Sequence, residues 1–404
     1  MIIELDDKTM NGANYIPYGR HYIDDDDVDA VVKLLKSGSL TQGDMVECFE
    51  KAVAEYVGCK YAVAVSSGTA GLHLAALAAG VGKGSKLITS PISFVASANA
   101  SLFTGGEVAF ADISRDTQNI CVSSLEEVIK NNPDTKAIMP VHFAGLPCDM
   151  PEIKRIADAA SAVVIEDAAH ALGSRYADGQ RVGCCSHSLM TVFSFHPVKV
   201  IAAGEGGMIT TNDEVVYRRL IRLRSHGINK LDDALTNQMH SDKIEPVKPW
   251  YYEMQELGFN YRLTEIQCAL ANSQLQKIEK FIEKRRNLVL RYDEAFKDMK
   301  YLRPAQLSGR SKSAHHLYVL QVDFAELNLS RTSVMLELKR RNIGTQVHYI
   351  PIPSHPYYQS IGHKVDDFPN AKRFYQDALS IPLFYSLSYD QQQYVISQFK
   401  ELLC

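Results

Sequence analysis

Phe193-Ser-Phe-His-Pro-Val-Lys199-Val-Ile-Ala-Ala-Gly-Glu-Gly-Gly207 lies between two apolar runs, residues 189–193 and 208–211. The runs read as strands, and the segment joining them is rich in turn-forming residues. Lys199 stands out in it. Its neighbours are Phe195, Val198, Val200 and Ile201, with a serine and several glycines close by. An apolar setting disfavours the ammonium form of lysine, and a neutral amine condenses with a carbonyl to give an imine. A loop lysine that lays its stem on apolar surface and keeps its head in water has the same local pattern. The segment alone does not separate the two.

Two stretches upstream extend the reading. Val65-Ser-Ser-Gly-Thr-Ala-Gly-Leu72 follows an apolar run, 62–65, and leads into an Ala/Leu-rich helix predicted over 71–79. Open backbone amides at a helix start, together with the helix dipole, favour an anion such as phosphate. Thr69 adds a hydroxyl, although Ser and Thr are also plain helix caps. Val163-Val-Ile-Glu-Asp167-Ala-Ala-His170 is an apolar strand ending in a carboxylate. Asp167 therefore falls at the carboxyl edge of a sheet, where α/β proteins bind ligands. A carboxylate there pairs with a protonated ring nitrogen and strengthens a heteroaromatic cofactor as an electron sink. It equally serves as a helix cap.

Around these stretches, strand-like runs at 86–89, 108–111 and 137–141 alternate with helical ones, one of them beginning near Phe94. That alternation predicts an α/β sheet, largely parallel, with helices on both faces. The texture changes after Leu257. One long helix or two are predicted over 264–296, a strand over 316–322, a helix over 331–341 and a last helix over 390–403. The chain is thus expected to hold a large domain, 1–262, with a polar loop insertion at 229–250, and a smaller α+β domain, 263–404.

Composition narrows the function classes. The 404 residues are enough for two domains with a sizeable core. Lys+Arg 43 against Asp+Glu 47 leaves no basic excess for a nucleic-acid partner. The opening MIIELDDKTM has neither a basic nor an apolar leader region, and no run of apolar residues is long enough to span a bilayer. The eight cysteines show no C-x-x-C, which argues against a zinc site or a disulfide scaffold and suits a reducing cytoplasm. Asp24-Asp-Asp-Asp27 precedes Val28, Val31, Val32 and Leu35, and reads as the acidic start of a helix. Gly80-Val-Gly-Lys-Gly84 follows a helix rather than a strand, so it is no dinucleotide fingerprint. His315, His316 and His348 do not make a metal set by their spacing.

Taken in order, these stretches resemble the DegT/DnrJ/EryC1/StrS sugar aminotransferase family. The likeness also takes in Ser37-Gly-Ser-Leu-Thr-Gln-Gly43, Pro91-Ile-Ser-Phe-Val95 and Gly204-Glu-Gly-Gly207. It continues through Gly258-Phe-Asn-Tyr-Arg-Leu-Thr-Glu-Ile-Gln267 and Gln346-Val-His-Tyr349. It implies fold type I of the pyridoxal 5'-phosphate (PLP) enzymes, with a large, mixed, mostly parallel sheet and a smaller C-terminal domain. It implies Lys199 as the imine-forming lysine and proton carrier, and Asp167 as the partner of the cofactor's ring nitrogen. Phe94 would stack on that ring, with His170 near its phenolic oxygen. Thr69, Ala70 and Ser194 would hold the phosphate, with Asn260 reaching it from a second subunit. A homodimer with shared active sites follows. His348 and Tyr349 fall on the sugar-nucleotide side. Arg224 suits the donor's carboxylate, or is an ordinary surface arginine. Relatives with His in place of Lys199 dehydrate rather than aminate. Ser93 stands where Thr is frequent, and Ala202-Ala203 where Thr-Thr is common.

Within the family the resemblance is to the branch serving pseudaminic-acid precursor synthesis. Leu40-Thr-Gln-Gly43, Ser90-Pro-Ile-Ser-Phe-Val-Ala-Ser-Ala-Asn99, Arg224-Ser-His-Gly227 and Thr345-Gln-Val-His-Tyr349 carry it. It implies amination at C-4 of a UDP-linked 4-keto-6-deoxy-N-acetylhexosamine, with L-glutamate as donor and 2-oxoglutarate released. Another nucleotide-linked ketosugar as substrate, or a protein that binds PLP or sugar without turnover, are the alternatives.

Overall fold

The computed structural model describes residues 15–229, 250–306 and 308–403. The first half alternates as expected: α1 (Asp25–Ser37), α2 (Asp44–Val57), β1 (Tyr61–Val65), α3 (Gly68–Ala78), β2 (Lys86–Thr89), α4 (Ala96–Phe103) and β3 (Glu107–Phe110). Then come α5 (Val122–Asn131), β4 (Thr135–Met139), α6 (Met150–Ala159), β5 (Val163–Asp167), β6 (Met190–Ser194), β7 (Gly207–Thr211) and α7 (Glu214–Arg224). Two short strands, β8 (Ile228–Asn229) and β9 (Glu253–Met254), pair with each other. The expected 229–250 loop lies almost wholly outside the described residues.

The large sheet has the order β1-β7-β6-β5-β4-β2-β3. Only β7 runs against its neighbours; the other pairings are parallel. Both faces are covered, which is why these strands read as unbroken apolar runs. Val63, Val65, Ile165, Val192 and Ile209 pack on one face with Leu72, Leu74 and Leu220. Ala62, Ala64, Val164, Phe193 and Met208 pack on the other with Phe49, Ile153 and Phe281. The alternation along β1 sends odd residues to one layer and even residues to the other.

The rest of the chain forms α8 (Glu265–Gln276), α9 (Ile278–Phe296), β10 (Leu302–Pro304), β11 (Tyr318–Val322), α10 (Arg331–Arg340), α11 (Pro356–Ser360), α12 (Pro369–Asp377), β12 (Ala378–Ile381) and α13 (Tyr389–Leu403). The helical stretch expected over 264–296 is two helices that meet at Lys277. Strands β10, β11 and β12 make a small antiparallel sheet in that order. Tyr292, Phe296, Leu320, Val322, Leu338, Leu379 and Phe399 form its core. Packing runs across residue 262. Leu263, Cys268, Leu275 and Ile282 sit in the large core, whereas Leu288 and Val289, further along α9, sit in the small one.

The acidic run caps α1 as anticipated. The Asp27 amide donates to Asp24 and the Asp24 amide donates to Asp27, a reciprocal box. Lys277 then pairs with both carboxylates, at 2.5 and 2.8 Å, and fixes α1 on the α8–α9 junction. Among the described residues, no helix is long and apolar enough to cross a membrane.

Candidate active site

The carboxyl ends of β1, β5 and β6 share one edge of the sheet. Gly207, the first residue of β7, pairs with both Val65 and Ser194. The phosphate-type loop after β1 and the end of β6 are thereby brought to either side of one glycine. A Cβ on Gly207 would lie 2.6 Å from the Ser67 carbonyl oxygen, and one on Gly68 would lie 2.9 Å from Ser194 Cβ. Only hydrogen fits at either point, so the start of α3 sits directly against Ser194.

Ser67 caps α3 by accepting from the Ala70 amide at 3.1 Å. The Gly71 amide makes the first helical bond, to the Ser67 carbonyl. The amides of Gly68 and Thr69 have no acceptor among the described residues. The open donors at this dipole end are therefore those of Gly68 and Thr69, with the Thr69 and Ser194 hydroxyls alongside. Ala70, expected to offer its amide to phosphate, has that amide engaged by Ser67 instead.

Asp167 ends β5 and is buried. Ser97 Oγ, from the first turn of α4, donates to Oδ2 at 2.6 Å, and the Ala169 amide donates to Oδ1 at 3.1 Å. Ser93 lies 2.7 Å from Ser97 and extends the chain. The backbone of Asp167 is held as well, by Pro140 and His142. The carboxylate is thus fixed in orientation. Sequence reading missed Ser97; its spacing of four from Ser93, at the start of a helix beside Phe94, is the signal that was available.

Lys199 stands on a tight turn. Its amide donates to the His196 carbonyl, and the turn is closed by the Phe195 amide donating to the Gly206 carbonyl and the Ala203 amide donating to the Phe195 carbonyl. Burial pushes the Lys199 amine down to about 8, against a weaker opposing pull from Asp167. Asp167 is close enough to act on the Lys199 amine, which places amine and carboxylate in one cleft. His170, His316 and His348 are also within electrostatic reach of Lys199, and burial holds all three well below the ordinary histidine range, His348 at about 3.

Aromatic groups close the cleft. The Phe94 ring is 58% exposed, its centroid 6.4 Å from that of Tyr349. His170 Nε2 lies 3.0 Å from the Tyr349 hydroxyl, and the two rings are nearly parallel. His348 Nδ1 is 2.8 Å from Ser380 Oγ, and the ring packs near Tyr18. His316, 4.4 Å from His170 between ring centroids, has its buried Nδ1 unpartnered. Sequence reading had noted it only as one of an adjacent pair.

Two expected site residues make other contacts. Arg224 Nη1 is committed to Glu50 at 2.5 Å and to the Ala64 carbonyl at 2.8 Å. That pairing braces α7 against α2 and β1, so Arg224 is a structural arginine in this chain rather than a carboxylate anchor. Asn260 is exposed and pairs through its backbone with Ser225.

A phosphorylated aromatic aldehyde fits what remains. The glycine cradle and open amides suit its phosphate, Asp167 its ring nitrogen, Phe94 its face and Lys199 its carbonyl. These are the needs of PLP.

Known proteins bear on this reading. The family model described as "DegT/DnrJ/EryC1/StrS aminotransferase family" matches residues 21–400. The Bacillus subtilis spore coat polysaccharide biosynthesis protein SpsC is 39% identical over 392 residues, covering 96% of this chain and 97% of that protein. A Campylobacter jejuni UDP-4-amino-4,6-dideoxy-N-acetyl-beta-L-altrosamine transaminase is 37% identical over 381 residues, 94% of this chain and 95% of its own. Among solved structures, Helicobacter pylori PseC, an aminotransferase involved in the biosynthesis of pseudoaminic acid, superposes with a TM-score of 0.86 at 32% identity, covering 96% of this chain and 99% of that one.

Proposed function

The chain belongs to the DegT/DnrJ/EryC1/StrS aminotransferase family of PLP-dependent sugar aminotransferases, and we propose that it moves an amino group from L-glutamate to C-4 of a UDP-linked 4-keto-6-deoxy-N-acetylhexosamine, a step toward pseudaminic acid in the cytoplasm. The observation that carries the chemistry is a half-buried lysine of lowered basicity, Lys199, sharing a cleft with the fixed carboxylate of Asp167. The likeness to the C. jejuni and H. pylori enzymes supports the choice of sugar.

PLP supplies a carbonyl that amines attack and a ring that accepts electrons when a neighbouring proton is removed. The chain's own groups do the rest. Asp167 would hold the ring nitrogen protonated, kept in place by Ser97 and the Ala169 amide. The Gly68 and Thr69 amides, with Ser194, would hold the phosphate, joined by Asn260 of a second copy. Lys199 would take the proton from the donor's Cα and, in the second half of the reaction, deliver one to the sugar's C-4. Glutamate leaves as 2-oxoglutarate before the ketosugar enters, so the kinetics are ping-pong. His348 and Tyr349 face the sugar-nucleotide side. Exposed Phe103, Trp250, Tyr252, Met254 and Leu257 support a homodimer on the Asn260 face.

The higher identity to SpsC supports a second reading, in which another nucleotide-linked ketosugar is the acceptor. One assay separates them. The purified, PLP-loaded protein is offered L-glutamate and a panel of UDP- and dTDP-linked 4-ketosugars, and product stereochemistry is read by NMR. Amination confined to the UDP-N-acetylhexosamine supports the first reading. Turnover of dTDP-sugars alone overturns it.

A further inference from the structure

The Ala144 amide donates to His170 Nδ1 at 3.3 Å. A backbone amide has no acceptor capacity, so that ring nitrogen carries its lone pair. Histidine that is neutral then bears its proton on Nε2. Neutrality is enforced here. His170 is buried, and Lys199 and His348 both press against its charged form, with the tilted His316 ring 4.4 Å away. Nε2 faces the Tyr349 hydroxyl at 3.0 Å. The hydroxyl therefore accepts from His170, and its single proton points elsewhere.

We propose that His170 is a positioning residue that fixes the direction of the Tyr349 hydroxyl, so that Tyr349 presents a donor to an anionic or carbonyl oxygen bound in the cleft. The bonds run one way: Ala144 amide to His170, His170 to Tyr349, Tyr349 to the ligand oxygen. Burial and the charge on Asp167 hold the Tyr349 phenol above its ordinary range, so the proton stays in place at working pH. The arrangement rejects a ligand ammonium or N–H at that point, since Tyr349 has no accepting direction aimed at it. The proposal rests on the cleft being the amination site. Cofactor and sugar both carry oxygens of the required kind.

The test begins with full-length protein labelled with 15N-histidine, with and without PLP, His170 being assigned from the His170→Gln spectrum. The expected result is an unprotonated Nδ1 and a protonated Nε2, unchanged from pH 6 to pH 9. A proton on Nδ1, or an imidazolium at neutral pH, overturns the proposal whether or not any sugar turns over. Kinetics make a second arm. Glutamine can accept from Ala144 and donate to Tyr349, whereas leucine can do neither. His170→Leu is expected to lose about tenfold more turnover than His170→Gln, the scale of one hydrogen bond. Tyr349→Phe added to His170→Leu is expected to cost nothing further. Equal losses for Gln and Leu contradict the proposal. A visible titration of the sugar-free PLP protein that shifts in Tyr349→Phe places the acceptor on the cofactor. An unshifted titration with a raised KM for ketosugar places it on the sugar. A chain that aminates nothing sinks the proposed function, while the tautomer still decides the relay.

Discussion

Lys199 shows what a residue's sequence context tells and what it hides. Apolar neighbours made it a candidate imine former, but the same neighbours surround many loop lysines. Distance from water decides between them, and only folding brings groups such as His170 and His348, far away in the chain, within electrostatic reach of it. The lowered Lys199 basicity has a measurable consequence for the cofactor-free protein. The unfolded chain holds this proton up to the ordinary lysine range, near 10.5, whereas the folded chain releases it near 8. Between those values the unfolded state binds more protons, so stability rises with pH. Below about pH 8 the folded state carries the full cost of a buried ammonium. Lys199→Met is therefore expected to be more stable than wild type at pH 7, by up to about 3 kcal/mol, in chemical denaturation. The difference should shrink as pH climbs through 8 toward 10. A gap that does not change with pH would contradict a buried amine. The same variant should lose essentially all transamination, and borohydride should no longer fix PLP to the chain.

At the scale of an element, β5 does more than deliver Asp167. Its preceding residue, Glu166, is fully buried and accepts from four side chains. His142 Nε2 lies at 2.7 Å, Tyr176 OH at 2.5 Å, Ser188 Oγ at 2.5 Å and Thr191 Oγ1 at 2.9 Å. The Cys148 amide donates to His142 Nδ1, so Nε2 is the protonated nitrogen and donates to Glu166. His142 and Tyr176 hold Glu166 from outside the strand, while Ser188 and Thr191 come from β6 and its approach. The carboxylate is the common acceptor that locks the end of β5 beneath the cleft, and its donors hold it below the usual carboxylate range. Glu166→Leu is expected to lower stability by about 3–5 kcal/mol, because it strands four buried donors at once. Thermal unfolding measures it. A carboxylate with a depressed value contributes above the ordinary carboxylate range and loses that contribution as pH falls, so the wild-type advantage should narrow in acid. An unchanged melting temperature would sink this reading of β5. The strand itself was legible from Val163, Val164 and Ile165. The network was not, because its donors are scattered over residues 142 to 191 and meet only when β5 and β6 pair.

The same limit governs the whole molecule. Parallel strands were readable because burial on both faces leaves continuous apolar runs. Strands β10 and β12 were not, being three and four residues long and apolar only where the small core needs them. The division expected near residue 262 rested on a change of texture, yet α8 and α9 carry packing from the large core into the small one. What a single chain leaves open is the Asn260 face. Trp250 is 74% exposed and Leu257 76%, and Phe103 joins them. In its own chain the Asn260 segment already borders the phosphate loop, since the Ser66 amide donates to the Tyr261 carbonyl. Asn260 therefore serves either its own site or the site of a second copy, and subunit mixing tells which. Lys199→Ala and Asn260→Ala chains are each expected to be inactive or nearly so as homodimers. If Asn260 acts across the interface, a mixed dimer has one site with both defects and one with neither. Mixing should then restore activity to about half of wild type per dimer, the site that lacks both substitutions working normally. If Asn260 acts within its own chain, each mixed dimer has a defect in both sites and mixing restores nothing. Mixed dimers no more active than their parents would remove the shared site, and with it the strongest reason for an obligatory dimer.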